Sequence, residues 1–355
     1  MTEIILEDYL LDFKTYDYEQ LFSFENVYNG YLYTRKGKRG KKCVKRFELY
    51  ALENSLKIQK DLINRSYELD PYHSFYVHEP KKRLIQAPSF RDRVMQRVIC
   101  KSVLEPVVDK HLIYDTYACR TGKGTHAGLY RLEDFMKRYY RKHGRDGYII
   151  KGDIAKYFYS ISHDILKARL YPLTEVYDIE WLLDKIIDST DTPGLPLGNQ
   201  SSQWFANFYL SSFDHYCKEV LGLKYYIRYM DDFVAIVESK EQVKFILDLM
   251  ERYLWDELKL KTNKKTQYFP IKNGVDFLGF HTYITETGKV YRKIRKDSKE
   301  RVKRKLKKLK RLYQEGRVSE ETIRLIYDSW RGHAEHGDTH GLFWVTDRLY
   351  ADIFN

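Results

Sequence analysis

The sequence predicts an α+β fold in which short antiparallel hairpins alternate with amphipathic helices, and three stretches carry that prediction. Two β-prone apolar runs, Tyr225 to Ile227 and Phe233 to Val237, enclose Tyr229-Met230-Asp231-Asp232, the pattern of a hairpin with acids at its tip. Phe75, Tyr76 and Val77 alternate into a turn at Glu79-Pro80-Lys81-Lys82 and return through Arg83, Leu84 and Ile85. Val302, Leu306, Leu309 and Tyr313 recur at i, i+4, i+7 and i+11, which gives a helix one apolar stripe among cations.

A chain of 355 residues with 43% hydrophobic composition can bury a large core and form two or three subdomains. Its formal charge of +12 is concentrated rather than spread. Residues 292–313 hold 13 Lys or Arg against Asp297 and Glu300, and residues 35–46 hold 8 with no acid. Two such blocks suit a polyanion, above all nucleic-acid phosphate. Thirty-two tyrosines offer many flat faces, most of them needed for packing and some available to stack on bases. Cys43, Cys100, Cys119 and Cys217 form no C-x-x-C pair, so neither a disulfide framework nor a zinc ribbon is expected. With no signal-peptide pattern and no apolar run of spanning length, the sequence reads as a cytoplasmic protein with no membrane partner.

In chain order, residues 1–70 read as a helical basic extension, with Phe47, Leu49, Leu52, Leu56 and Ile58 at helical spacing. Arg91 to Val98 opens an amphipathic helix reaching about Val108. Tyr117 to His126 is Gly-rich and basic but lacks Walker spacing, which disfavours a P-loop nucleotidase. Tyr148-Ile149-Ile150-Lys151-Gly152-Asp153 reads as a strand ending on an acid, 78 residues before Asp231. Adjacent carboxylates need a positive partner, and strand-end acids from separate strands can share a pair of Mg²⁺ ions about 4 Å apart. Asp153 comes too early to cap the helix that follows; Ser162 or Asp164 suits that role. Leu197-Gly198-Asn199-Gln200-Ser201-Ser202-Gln203 is a polar turn launching a helix that runs to about Val220. A helix from Lys240 to about Glu257 follows the acidic hairpin, and a second hairpin forms around 275–290. His333, His336 and His340 have metal-like spacing, but Gly332 and Gly337 should break the helix that would align them, so a structural or phosphate-contacting role is expected rather than zinc.

Taken in order, these blocks resemble those of reverse transcriptases from about Leu21 to Leu342. Lys81 to Arg93 resembles the first fingers block with its R-D-R-V-x-Q signature, and Tyr117 to His126 the second. Lys151 to Phe158 resembles the block bearing the first catalytic aspartate, and Leu197 to Gln203 the template-and-nucleotide loop. Tyr229 to Asp232 matches the Y-x-D-D hairpin, Lys264 to Thr266 the later lysine block, and Phe277 to Phe280 the primer grip. The stretches Tyr117–His126 and Gly198–Gln203 resemble the enzymes of diversity-generating retroelements, with Gln200 standing where an apolar residue is commoner. Defence-associated, abortive-infection and retron-type enzymes share the same core.

The resemblance implies a right-hand polymerase: an extension over 1–70, fingers over 71–147, an antiparallel palm backed by helices over 148–284 with insertion helices over 171–195, and a short helical basic thumb over 285–355. It implies RNA-directed DNA synthesis from a dedicated non-coding RNA; the alternative is antiphage cDNA or repetitive DNA synthesis, from an associated RNA or without a template. Expected partners are a structured RNA template, a DNA or RNA primer, dNTPs, and a small basic accessory protein or a second defence subunit. Two Mg²⁺ ions, with Mn²⁺ as a substitute, would be held by Asp153, Asp231, Asp232 and the Ile154 carbonyl. Arg83, Arg120 and the amides of Ile154, Ala155, Lys156 and Tyr157 would face the triphosphate, and Phe158 would exclude the ribose 2′-hydroxyl. Lys265 would protonate the leaving pyrophosphate. Leu197 to Gln203 would contact the templating pair, with Gly198, Asn199 and Gln203 binding the dNTP, while Lys81, Arg93, Tyr229, Met230, Leu278, Gly279, Arg301, Lys305 and Lys308 would contact nucleic acid.

Overall fold

The computed structural model describes residues 17–78 and 82–354. Two compact units organise the chain, and each is drawn from three separate stretches.

The first comprises Met1–Arg120, Asp153–Leu221 and Asp248–Lys265. Its centre is the helix Phe90–Ile99, started by Ser89, whose hydroxyl accepts the Asp92 amide at 3.0 Å. Asp92 is buried and accepts from Tyr67 Oη at 2.9 Å and the Asp70 amide at 3.0 Å, which satisfies a charge that burial would otherwise penalise. The helix Phe24–Arg35 lies close against it because of Gly30: a Cβ there would sit 2.8 Å from Val98 Cγ2. Strands β1 (His73–Val77) and β2 (Arg83–Ala87) pair antiparallel with His73 opposite Ala87. Their turn, Lys81 included, lies outside the described residues. Ser162 caps His163–Thr174 as expected. The helix entered at Gln200 runs to Tyr209 and continues through Ser211–His215 and a π turn to Val220.

One expectation fails here. Residues 42–63 form two helices, Lys42–Glu48 and Ala51–Ile63, and the break at Leu49 and Tyr50 resets the helical phase. Phe47, Ile58 and Leu62 are buried, whereas Leu49, Leu52 and Leu56 face outward at 77%, 55% and 51% exposure.

The second unit comprises Thr121–Gly152, Gly222–Leu247 and Thr266–Asn355. Its sheet contains β3 (Tyr148–Asp153), β4 (Tyr225–Tyr229), β5 (Asp232–Val237) and β6 (Gln267–Pro270), in the order β4-β5-β3-β6. β4 and β5 are almost wholly buried, which explains why they read as continuous apolar runs rather than alternating ones. The hairpin expected around 275–290 is a three-stranded sheet, β7 (Val275–Phe277), β8 (Phe280–Ile284) and β9 (Val290–Ile294). The helix Lys296–Gln314 buries Val302, Leu306 and Leu309 against Ile323, Tyr327 and Ile353, so the predicted stripe is the packed face. Among the described residues, no helix is long and apolar enough to cross a membrane.

Candidate active site

The acidic hairpin is built as tightly as a hairpin can be. Tyr229 pairs directly with Asp232, which leaves Met230 and Asp231 as a two-residue loop. Met230 adopts φ +57°, a left-handed conformation that costs a non-glycine residue about 1–2 kcal/mol. Arg228, on the strand behind, is fully buried and donates from Nη1 to the Met230 carbonyl at 2.7 Å. Asp231 and Asp232 remain partly exposed. Across the sheet, the Lys151 ammonium on β3 forms an ion pair with the Asp232 carboxylate and lies 5.4 Å from the centre of the Phe277 ring. Gly152 lets β3 close on β5: a Cβ at that position would fall within 2.0–2.5 Å of three ring atoms of Phe233.

β3 ends at Asp153, where the chain enters the first unit. Asn263 holds this residue twice, its amide donating to the Asp153 carbonyl at 2.7 Å and its Nδ2 to Oδ2 at 3.0 Å. Ile154 bridges to Thr262, and the Ala155 amide donates to the Lys261 carbonyl at 2.9 Å. Lys156 is left-handed at φ +47° and starts the short helix Tyr157–Ser160. Tyr157 is buried with its hydroxyl donating to the Ala206 carbonyl, while Phe158 is half-buried and its carbonyl accepts from the Leu195 amide at 2.7 Å.

Asp231 and Asp232 thus lie at the tip of the β4–β5 hairpin, and β3, the neighbour of β5 in the sheet, ends at Asp153. Residues 77–282 match the family profile for reverse transcriptase (RNA-dependent DNA polymerase), more than half of the chain. The chain belongs to that family. Reverse transcriptases are RNA-directed DNA polymerases, hence nucleotidyltransferases. The fold is similar to that of a telomerase from Candida albicans solved with the TWJ fragment of telomeric RNA, at TM-score 0.52 and 14% identity over 81% of this chain and 55% of that one. Two structures of apo telomerase from Candida tropicalis, one truncated from its C-terminal domain, align at TM-scores of 0.48 and 0.47 with 15% and 13% identity, each over 68% of this chain and 60% and 53% of theirs. The chain therefore spans little more than half the length of these telomerases. A search of curated proteins finds no match.

The other expected residues divide into accessible and committed groups. Arg83, Lys265, Arg301, Lys305 and Lys308 are exposed, with the last three on the solvent side of Lys296–Gln314. Arg120 is not available to a triphosphate: its guanidinium donates to both Asp109 carboxylate oxygens, at 2.6 and 3.2 Å, and to the Ile113 and Thr116 carbonyls. The Ala155 amide is likewise taken by Lys261, so only part of the expected row of amides can face a ligand. Gly198 has φ +149° and no room for a Cβ, which would sit 2.3 Å from the Gln86 carbonyl oxygen; the 197–203 loop is thus pressed onto β2. Gln203 is exposed and accepts from Cys119 Sγ, and Asn199 is buried with Nδ2 donating to Tyr72 Oη at 2.8 Å. Arg93 donates from Nε to the Pro88 carbonyl, and among the described residues its other guanidinium nitrogens make no hydrogen bond. Leu278 and Gly279 form the β7–β8 turn, both with positive φ.

Gly332 does not break a helix, because Glu320–Ala334 runs through it; Gly337 lies beyond its end. His333 and His336 form a cluster with a partner far away in sequence, while His340 is exposed at the start of the helix His340–Ala351. His126 stacks on His336 with ring centres 3.4 Å apart and lies 5.7 Å from His333, while Tyr130 Oη meets His336 Nδ1 at 2.9 Å. Stacked rings do not converge on an ion, and among the described residues no group of three or more His, Cys, Asp or Glu is placed to hold a metal ion. Lys151 and Arg228 escaped the sequence reading; their signal was a cation inside an otherwise apolar strand.

Proposed function

We propose that this chain copies a dedicated RNA into DNA in the cytoplasm as part of a diversity-generating retroelement. The observation that carries the polymerase reading is the Tyr229–Asp232 hairpin, with Met230 held left-handed by Arg228 beside the strand that ends in Asp153. The retroelement role rests on Tyr117–His126 and Gly198–Gln203 as sequence blocks, and the compartment on four free thiols.

The donor set suits Mg²⁺ or Mn²⁺: hard carboxylate oxygens, few in number, as expected for an ion that takes one or two carboxylates and completes its shell with substrate phosphate and water. Asp153, Asp231 and the Ile154 carbonyl would hold the ions, with Asp232 alongside. When bound, they lower the pKa of a primer 3′-hydroxyl and offset charge on the leaving pyrophosphate. Lys151, paired with Asp232, tempers the negative charge of the hairpin and ties β3 to β5. Arg83 and the amides of Lys156 and Tyr157 bind the triphosphate; Arg120 holds its own loop instead. Phe158 excludes the ribose 2′-hydroxyl, and Lys265 delivers a proton to pyrophosphate. Gly198, Asn199 and Gln203 line the templating pair. The Leu278-Gly279 turn supports the primer end, and Arg301, Lys305 and Lys308 follow the product backbone. In this reading residues 71–147 are fingers, 148–284 palm and 285–355 thumb.

The test is incorporation of labelled dNTPs by the purified chain on an RNA oligonucleotide with an annealed primer, followed by sequencing of the product. A complementary copy supports the reading; untemplated addition alone refutes it. Sequencing the RNA and cDNA that copurify tests the role, with errors concentrated at template adenines expected and hairpin or repetitive products contradicting it.

A further inference from the structure

A cavity of about 180 Å³ opens inside the first unit, walled by Thr34, Lys38, Arg93, Gln96, Arg97, residues 198–200 and Gln203. Its electrostatics are one-sided, since three cationic side chains and no carboxylate line it. Lys38, Arg93 and Arg97 form no ion pair with any described residue. Burial, then the charges of Arg93, Arg97 and Lys41, hold the Lys38 ammonium below its usual pKa. Crowding like charges in a partly desolvated space is unfavourable unless an anion offsets them.

Hydrogen-bonding capacity points the same way. Gln96 is 1% exposed, and although its Oε1 accepts from Ser201, its Nε2 donates to nothing among the described residues. Arg97 Nε is also buried without an acceptor among the described residues, its guanidinium carbon lying 4.4 Å from the centre of the Tyr33 ring. The helix Gln200–Tyr209 begins at this wall, and its N-cap residue, Asn199, makes no capping hydrogen bond, so the first amides of the helix add partial positive charge. Buried donors without acceptors are unfavourable, and an oxyanion in the cavity would satisfy several together.

We propose that this cavity binds one backbone phosphate of the RNA strand being copied. The assignment rests on the polymerase reading for the identity of the strand, but not for the presence of the anion. Size favours a single phosphate over a whole nucleotide, because small-molecule pockets hold about 300–1,000 Å³. Asn199 Oδ1, an unpaired acceptor in the same wall, suits the neighbouring 2′-hydroxyl.

The experiment is fluorescence anisotropy of the full chain with a single-stranded RNA oligonucleotide across a KCl series. Each neutralised phosphate contributes about 0.7 to the slope of log K against log salt for single strands. Lys38→Gln is expected to lower that slope by about 0.7, to the same extent for unrelated sequences. Arg97→Gln should do likewise, and the double variant should lose no more than either single one, because both cations serve one phosphate. Lys57→Gln, on an exposed helix face, should change nothing. A scan of single neutral methylphosphonates should find one position that weakens the wild type and leaves Lys38→Gln unaffected. Because Lys38 is only partly buried, its variant keeps the test open if Arg97→Gln fails to fold.

Unchanged slopes in both single variants of a folded, polymerising protein would overturn the proposal. If inorganic phosphate raises the melting temperature of the wild type but not of Lys38→Gln, and RNA does not displace it, the cavity takes a free anion and the strand assignment is wrong. Slope changes in a chain that never polymerises would sustain the cavity assignment while sinking the polymerase reading.

Discussion

Gly152→Ala is a one-methyl perturbation with a calculable consequence. The new Cβ would lie 2.0 Å from Phe233 Cζ and 2.3 and 2.5 Å from the two Cε atoms, where non-bonded carbons need about 3.5–4 Å. Phe233 is fully buried and has Tyr226 as a ring neighbour at 6.1 Å, so the ring cannot swing into solvent. The hydrogen-bonded spacing of β3 and β5 fixes the other side. Overpacking of this kind costs about 1–3 kcal/mol, and a shortfall of more than 1 Å to three atoms puts this site at the upper end. Urea unfolding followed by tryptophan fluorescence should show a loss of about 2–3 kcal/mol. Adding Phe233→Leu should recover at least half of it, a coupling of about 1 kcal/mol or more. A Gly152→Ala protein within about 0.5 kcal/mol of wild type would refute the packing argument.

Other expectations follow from the same geometry. His126 and His333 have pKa values lowered by burial first and then by His336, with His333 and Arg292 adding to the effect on His126. The unfolded chain therefore binds more protons as pH falls below about 6.5, so stability is full above that value and declines toward the lowered folded values; melting temperatures between pH 8 and 5 should show this, and His126→Gln should flatten the profile. Arg228→Leu should cost about 2–3 kcal/mol by leaving the Met230 carbonyl without its charged donor, and an unchanged denaturation midpoint would mean that the bond is idle. Phe158→Ala should admit rNTPs in single-nucleotide extension; retained discrimination would remove its gating role.

Much of this molecule was legible because its signals are local. The pairing of β1 with β2, the acidic hairpin, the strand into Asp153 and the Val302-Leu306-Leu309 stripe each follow from periodicity within one segment. The Phe47-to-Ile58 series misled because the spacing is helical but the helix is interrupted, so Leu49, Leu52 and Leu56 face outward while Phe47 and Ile58 are buried, joined by Leu62. Arg120 looked like a phosphate ligand because sequence shows its charge and not Asp109. His126 joins His333 and His336 from 207 and 210 residues away, a pairing that no spacing rule reaches. Lys151 and Arg228 stand in apolar strands, where only the fold reveals that one answers Asp232 and the other supports the turn.

The most direct test of the central claim is primer extension on an RNA template by wild type and Asp231→Ala, with template binding measured in parallel. Extension by the wild type, its loss in the variant and RNA affinity within about twofold of wild type are expected. Equal extension by both proteins, or a variant that loses RNA binding and cooperative unfolding together, would contradict the role given to the hairpin acids.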